Sequence, residues 1–286
     1  MKYVLTLMLL CSAGVNAQTI FSCIGHNGKK VYTDSKLNCK AFGGKVDAEV
    51  ETITFDSINM HSQYGATVSE EYYNYAFRAY EKIPGYTINI IAESKLIHNH
   101  PQLLQQSASK LDKTIVRAIS AFPLHAQPEF DGIKYFIFSG DESRKGGRRG
   151  GQWYFRKGNS ISDRFDNAIV VRSAKDYLER YSENRALMTA VHELSHAYYY
   201  YHWKNIYRSV NKAYKNTIEQ GRYRNVKTKS GKVIAKAYAL TNEREYFAEL
   251  SKIIHVGNYY YPFDGGELRE YDPEGYQAVR LAFGYQ

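Results

Sequence analysis

Long apolar runs are scarce in this chain. Beyond Ala17 no stretch reaches the roughly 18 consecutive apolar residues that a membrane helix needs, so no integral membrane segment is expected once the N-terminus is removed. Cysteine occurs three times in 286 residues, at Cys11, Cys23 and Cys39. Two thiols without a nearby His pair make half a zinc site, so a metal centre must be sought elsewhere. Methionine occurs four times and never after Met188. Helix-turn-helix, zinc-finger and RNP patterns are absent, as are internal repeats and low-complexity tracts. Nucleic acid is therefore not the expected partner, even with a net charge of +9 and 27 tyrosines. An anionic cell-envelope surface or an acidic substrate suits that charge better.

What is present begins with "MKYVLTLMLLCSAGVNAQ". An early lysine, an apolar run from Tyr3 to Leu10 and a small-x-small end at Val15–Ala17 predict a cleavable signal peptide over residues 1–17. Leu10 before Cys11 is a poor fit to the small residue expected ahead of a lipid-attachment cysteine. The expected location is secreted or periplasmic. Export leaves Cys23 and Cys39, which in an oxidising space form one bridge, stabilising by roughly 3 kcal/mol in the chain-entropy view. They bracket "TIFSCIGHNGKKVYTDSKLNCKAFGG", read as a β-hairpin with its turn at Asn27-Gly28 and taken as a small module over residues 18–44. This stretch resembles small bacterial envelope modules of the pattern "Y-x-C/W…G…x-Y-T/S-D". Residues 45–69 are polar and irregular and read as a linker.

The main domain is expected over residues 70–286. "SEEYYNYAFRAYEKI" has helical spacing, "YTINIIAES" and "IKYFIFSG" read as strands, and "HPQLLQQSASKLDKTIVRAISAF" between them as an amphipathic helix. After the basic, glycine-rich "DESRKGGRRGGQ" come two more strands, "WYFRK" and "NAIVVRS". Helices follow at "AKDYLERYS", "ENRALMTAVHELSHAYYYYHW" and "TNEREYFAELSKIIH". Sheet first and helices after predicts an α+β domain with the His-bearing helix packed under the sheet.

"TAVHELSHAYYYYHW" carries the chemistry. His192 and His196 are four apart, so on a helix they share one face and can share one tetrahedral ion. Glu193 stands beside that ion as a general base. A catalytic zinc takes a third protein ligand. His202, six after His196, would require the helix to stop at a glycine; the position is Tyr199, and no methionine turn follows, so the sequence argues against the metzincin arrangement. No inverted H-x-x-E-H occurs, and His98, His100 and His125 sit in polar surroundings. An acid on the later helix remains: Glu243, Glu245 or Glu249. Glu245 and Glu249 are i, i+4. One can bind the ion while the other accepts the N–H of a ligand imidazole, which favours Glu245 and leaves the other two open.

"VHELSHAYYYYH", "AYALTNEREYFAEL" and "NYYYPFDGGELREYDPEGY" together resemble the zinc metallopeptidases with a lethal-factor-like catalytic domain, over residues from Ile133 onward. The resemblance implies a gluzincin-type, zincin-like fold and one Zn2+ per chain, held by His192, His196 and Glu245. It implies Glu193 as base and Tyr238 as an oxyanion donor; with Glu245 as ligand, the i, i+4 spacing makes Glu249 the outer support. Peptide or protein substrates are implied with it. The four-tyrosine run departs from the family's "AYHH" and leaves every ligand position intact. Gly151, Trp153 and Tyr154 of "GGQWYFRK" are candidates to pair with an extended peptide. Arg144, Lys145, Arg148 and Arg149 are candidates to select acidic residues. Competing classes are a catalytically weak zincin-fold module that binds the envelope and a zinc amidase acting on peptidoglycan stem peptides.

Overall fold

The computed structural model describes residues 21–24, 30–33, 75, 78–140, 151–159 and 162–285. The chain divides into two units, Met1–Arg78 and Ala79–Gln286. In the first, β1 (Phe21–Ile24) and β2 (Lys30–Thr33) pair antiparallel, with Cys23 opposite Val31. Cys39, the expected signal segment and linker, and the four basic residues of the glycine-rich loop lie outside the described residues.

The second unit is α+β and is built on a five-stranded mixed sheet. Its strands are β3 (Tyr80–Lys82), β4 (Asn89–Glu93), β5 (Lys134–Ile137), β6 (Gln152–Phe155) and β7 (Ala168–Val171). They lie in the order β3-β4-β5-β7-β6, with β4, β5 and β7 parallel and the two outer strands antiparallel to their neighbours. All four residues of β7 are buried, the continuous apolar run of a parallel strand covered on both faces. Alternation divides the side chains. Tyr135, Ile137, Ile169 and Val171 join the helix-side core. On the opposite face Phe136, Tyr80 and Phe165 meet edge to face at centroid separations of 5.0–5.8 Å.

After β4 come α1 (Ser94–Asn99) and α2 (Pro101–Ser120). Pro101 opens α2, and its buried residues recur at helical spacing through Leu104, Ala108, Leu111, Ile115 and Ala118. After β7 come α3 (Ala174–Arg180) and α4 (Glu183–Glu219), the latter capped by Ser182. A short hairpin, β8 (Arg224–Lys227) with β9 (Val233–Lys236), leads to α5 (Glu243–Val256), α6 (Gly265–Tyr271) and α7 (Pro273–Ala282). α4 packs against α2, α5 and α7, and its first half lies along β6. Among the described residues no helix is long and apolar enough to cross a membrane.

Two elements depart from the sequence reading. The end of "SEEYYNYAFRAYEKI" is strand β3, because main-chain pairing of Tyr80–Lys82 with Glu93–Ile91 outweighs the helical spacing. α4 runs on past Trp203 to Glu219, since no Gly or Pro interrupts it and Ile206, Val210, Ala213 and Thr217 continue its buried stripe.

Candidate metal centre

α4 places His192 and His196 one turn apart, rings edge to face at 4.7 Å. The third side chain comes from the start of α5. Asn242 caps that helix: its Oδ1 accepts the N–H groups of Arg244 and Glu245 at 3.0 and 2.9 Å. Glu245 is thus the third residue of the helix, where a capping-box glutamate usually reaches back to the cap. Here its carboxylate turns instead to α4.

The result is an equilateral triangle. His192 Nε2, His196 Nε2 and Glu245 Oε2 are mutually 3.1 Å apart. Hydrogen bonds cannot satisfy all three edges. A carboxylate only accepts, so donation from both rings sets two N–H groups against each other across the third edge, while a ring nitrogen without a proton sets its lone pair against the carboxylate. A cation satisfies every edge. Ligands about 2.0–2.1 Å from one ion in a tetrahedral arrangement lie about 3.3 Å apart, close to what is found. These three residues form a group able to hold a metal, with two histidines buried and the glutamate half-buried.

The surrounding charge favours the same occupant. Burial works to raise the Glu245 carboxyl, yet contacts with His192 and His196 hold it well below the usual carboxylate range. Burial opposes protonation of His192, but Glu245 and Glu249 carry the ring up to about 10. His196, without a second carboxylate, is lowered by burial.

Glu249, one turn beyond Glu245, lies 2.9 Å from His192 Nδ1, with poor alignment for a hydrogen bond. It also accepts from Lys252 Nζ at 2.7 Å and from the Tyr260 hydroxyl. Lys252 is 5% exposed, so its charge is spent inside the protein on Glu249. Together they fix the carboxylate that faces the His192 imidazole. Glu243 points away and pairs with Arg244 at 3.6 Å.

Glu193 is buried beside the triangle. Its Oε2 accepts the Tyr154 N–H at 2.8 Å, and burial pushes its carboxyl up to about 8 against the opposing charge of His192. β6 is therefore positioned on Glu193 by its main chain. Gly151 O accepts Arg172 N from the strand side of β7, so the alternate residues Gln152 and Tyr154 turn their main-chain groups to the open edge. Gly151 has φ +112°, which explains the glycine by backbone conformation. Trp153 alternates to the other face, where its ring lies 3.6 Å from the Arg172 guanidinium.

Tyr238 sits in the single 3-10 turn Tyr238–Leu240 that follows β9. Its ring is 5.9 Å from that of His192, it is half exposed, and burial with the nearby Glu245 charge pushes its phenol up to about 12. The phenol therefore stays protonated as a donor. His202 is elsewhere, bonded to Glu129 at 2.6 Å, and His98, His100 and His125 are exposed. Of the tyrosine run, Tyr198 and Tyr199 are buried packing residues, Tyr200 is half-buried against Tyr154, and Tyr201 is exposed.

Residue reasoning missed Lys252, Tyr260 and Gln152. Lys252 carried a signal, being three residues from Glu249 on a helix whose neighbours are apolar. Tyr260 is brought in by the chain after α5 and had none. Gln152 is 4% exposed, neither amide atom has a partner, and it shares the row Ile137–Val171–Gln152 with apolar residues. Alternation along β6 identifies its face once the strand is known. Neither a protein-family model nor a curated protein sequence matches the chain.

Proposed function

We propose that this protein is a zinc-dependent endopeptidase of the gluzincin type with a zincin-like catalytic domain, acting on peptides or proteins outside the cytoplasm, in the periplasm or beyond it. The observation that carries this is the 3.1 Å triangle of His192, His196 and Glu245 with Glu193 alongside. Two imidazoles and one carboxylate are a donor set suited to zinc, and three protein ligands are the number a catalytic site uses. Zinc, when bound, supplies a Lewis acid and brings the pKa of a coordinated water to near 7.

The chain's own residues supply the rest. Glu193 Oε2 is engaged by the Tyr154 N–H, so Oε1 is the atom that takes a proton from the attacking water. Water oxygen bonds to the peptide carbon, the C–N bond breaks, and Glu193 returns the proton to the departing amine nitrogen. The Tyr238 hydroxyl donates to the oxygen that gains negative charge. The open edge of β6 offers an extended peptide the main-chain groups of Gln152. Glu249, held by Lys252 and Tyr260, keeps His192 oriented with Nε2 toward the triangle.

The test is a peptide library exposed to the wild type and to Glu193→Gln, with zinc measured in both. The expected result is one zinc per chain in each and cleavage by the wild type alone. Equal cleavage by both would contradict the role of Glu193.

A further inference from the structure

Arg244 stands between Glu243 and the ligand Glu245, in the first turn of α5. Its Nη1 donates to the Tyr200 hydroxyl at 3.0 Å, and its Nε lies 3.6 Å from a Glu243 oxygen. Tyr200 is one helical turn beyond His196 on the same face of α4, so this bond places the guanidinium about one turn along that face from His196. The Arg244 side chain is 40% exposed, which leaves it open to a ligand.

A second cation shares the same ring. Arg156, two residues beyond Tyr154 and so on the same side of the strand, has its guanidinium 5.8 Å from the Tyr200 centroid. The Tyr154 and Tyr200 rings are 6.1 Å apart. Tyr154 is the residue whose N–H meets Glu193. A chain laid along the open edge of β6 toward Glu193 therefore passes two tyrosine rings and two guanidinium groups.

Resting on the peptidase reading above, we propose that Arg244, steadied by Tyr200 and seconded by Arg156, selects peptides with an aspartate or glutamate within about two residues of the cleaved bond. A guanidinium presents five N–H donors in a planar fork. Arg244 commits one to Tyr200 and offers a second to Glu243 at a length too great for a hydrogen bond. The remaining donors match a carboxylate, and bidentate charge-assisted pairing is what Arg does better than Lys. Around the triangle a dication and Lys252 would be balanced by Glu193, Glu245 and Glu249. Along the Tyr200 strip Arg244 and Arg156 face the single carboxylate of Glu243, which leaves one net positive charge, in line with the net +9 of the chain.

The experiment is library cleavage by the zinc-loaded wild type, Arg244→Ala, Arg244→Lys and Arg244→Glu, with zinc content and melting temperature measured on each. The readout is the ratio of kcat/KM for acidic over matched neutral peptides. The wild type should favour acidic peptides. Arg244→Ala should lower that ratio about 10- to 100-fold, the worth of one charged hydrogen-bonded contact. Arg244→Lys should fall between, and Arg244→Glu should turn the preference toward lysine and arginine. A wild type that cleaves without acidic preference, or a preference unchanged in Arg244→Ala, overturns this inference and leaves the peptidase reading intact. A zinc-loaded wild type that cleaves no peptide overturns both.

Discussion

Glu245 and Asp272 are two carboxylates drawn into the protein, and Tyr246 links them. It follows Glu245 in sequence and donates its hydroxyl to Asp272. Around Asp272 every demand is met. Its Oδ2 accepts from Thr217 at 2.9 Å, from Tyr223 at 3.0 Å and from Tyr246, and its Oδ1 accepts the Gly275 N–H at 3.1 Å with Arg222 at 3.4 Å. These partners are donors of fixed role aimed at one acceptor, and no further group is needed. Around Glu245 the partners are imidazoles whose own nitrogens oppose each other at 3.1 Å. A buried network completed by donors is a structural joint. One that a cation would complete is a candidate site.

The largest effect should come from breaking the joint. Asp272→Ala strands the hydroxyls of Thr217, Tyr223 and Tyr246 and the Arg222 charge, and should cost about 3–5 kcal/mol of unfolding free energy, read by urea or thermal melts. A cost below about 1 kcal/mol would mean the network is ornamental. Gly275→Ala attacks the same joint by volume: its Cβ would fall 2.1 Å from the Tyr246 hydroxyl and 2.5 Å from Leu250 Cδ2.

On the site side, Tyr238→Phe should reduce turnover about 10²- to 10³-fold, the range for one lost oxyanion donor, with zinc content and melting temperature unchanged. Turnover at the wild-type level would remove Tyr238 from the chemistry. Glu249→Gln should weaken zinc binding about 10- to 100-fold, measured by competition with a chromophoric chelator. An unchanged affinity would make Glu249 a partner of Lys252 alone. The smallest effect belongs to the cap. Asn242→Ala should cost about 1 kcal/mol. Because the cap also seats Glu245, the variant's loss of stability should be greater with zinc present than with zinc chelated.

The site was more legible in the sequence than the fold around it. The shared face of His192 and His196 follows from helical period, Glu193 was singled out by its place in the motif, and the i, i+4 acids of α5 narrowed the partner to few choices. Tyr238 was singled out only by resemblance, and its place near His192 depends on the hairpin β8–β9. The strands of that hairpin are four residues each and mostly exposed, without apolar alternation to announce them. The Asp272 joint was illegible for a related reason. Its hydroxyl donors come from α4, from the residue before β8 and from α5, and nothing local marks Thr217 or Tyr223 as partners of one carboxylate. β3 was misread because three residues at a sheet edge take their conformation from their neighbour β4.

The most direct measurement is zinc stoichiometry and melting temperature, with and without chelator, for the wild type, Glu245→Ala and Glu243→Ala. The two acids are neighbours in one helix turn, and only Glu245 meets the histidines. The wild type and Glu243→Ala should each carry one zinc per chain and melt lower when it is removed, since a ligand bound only to the folded state at about 100 times its Kd adds roughly 2.7 kcal/mol. Glu245→Ala should carry little zinc and show no chelator effect. Equal zinc in Glu245→Ala and Glu243→Ala would contradict the triangle as the metal centre.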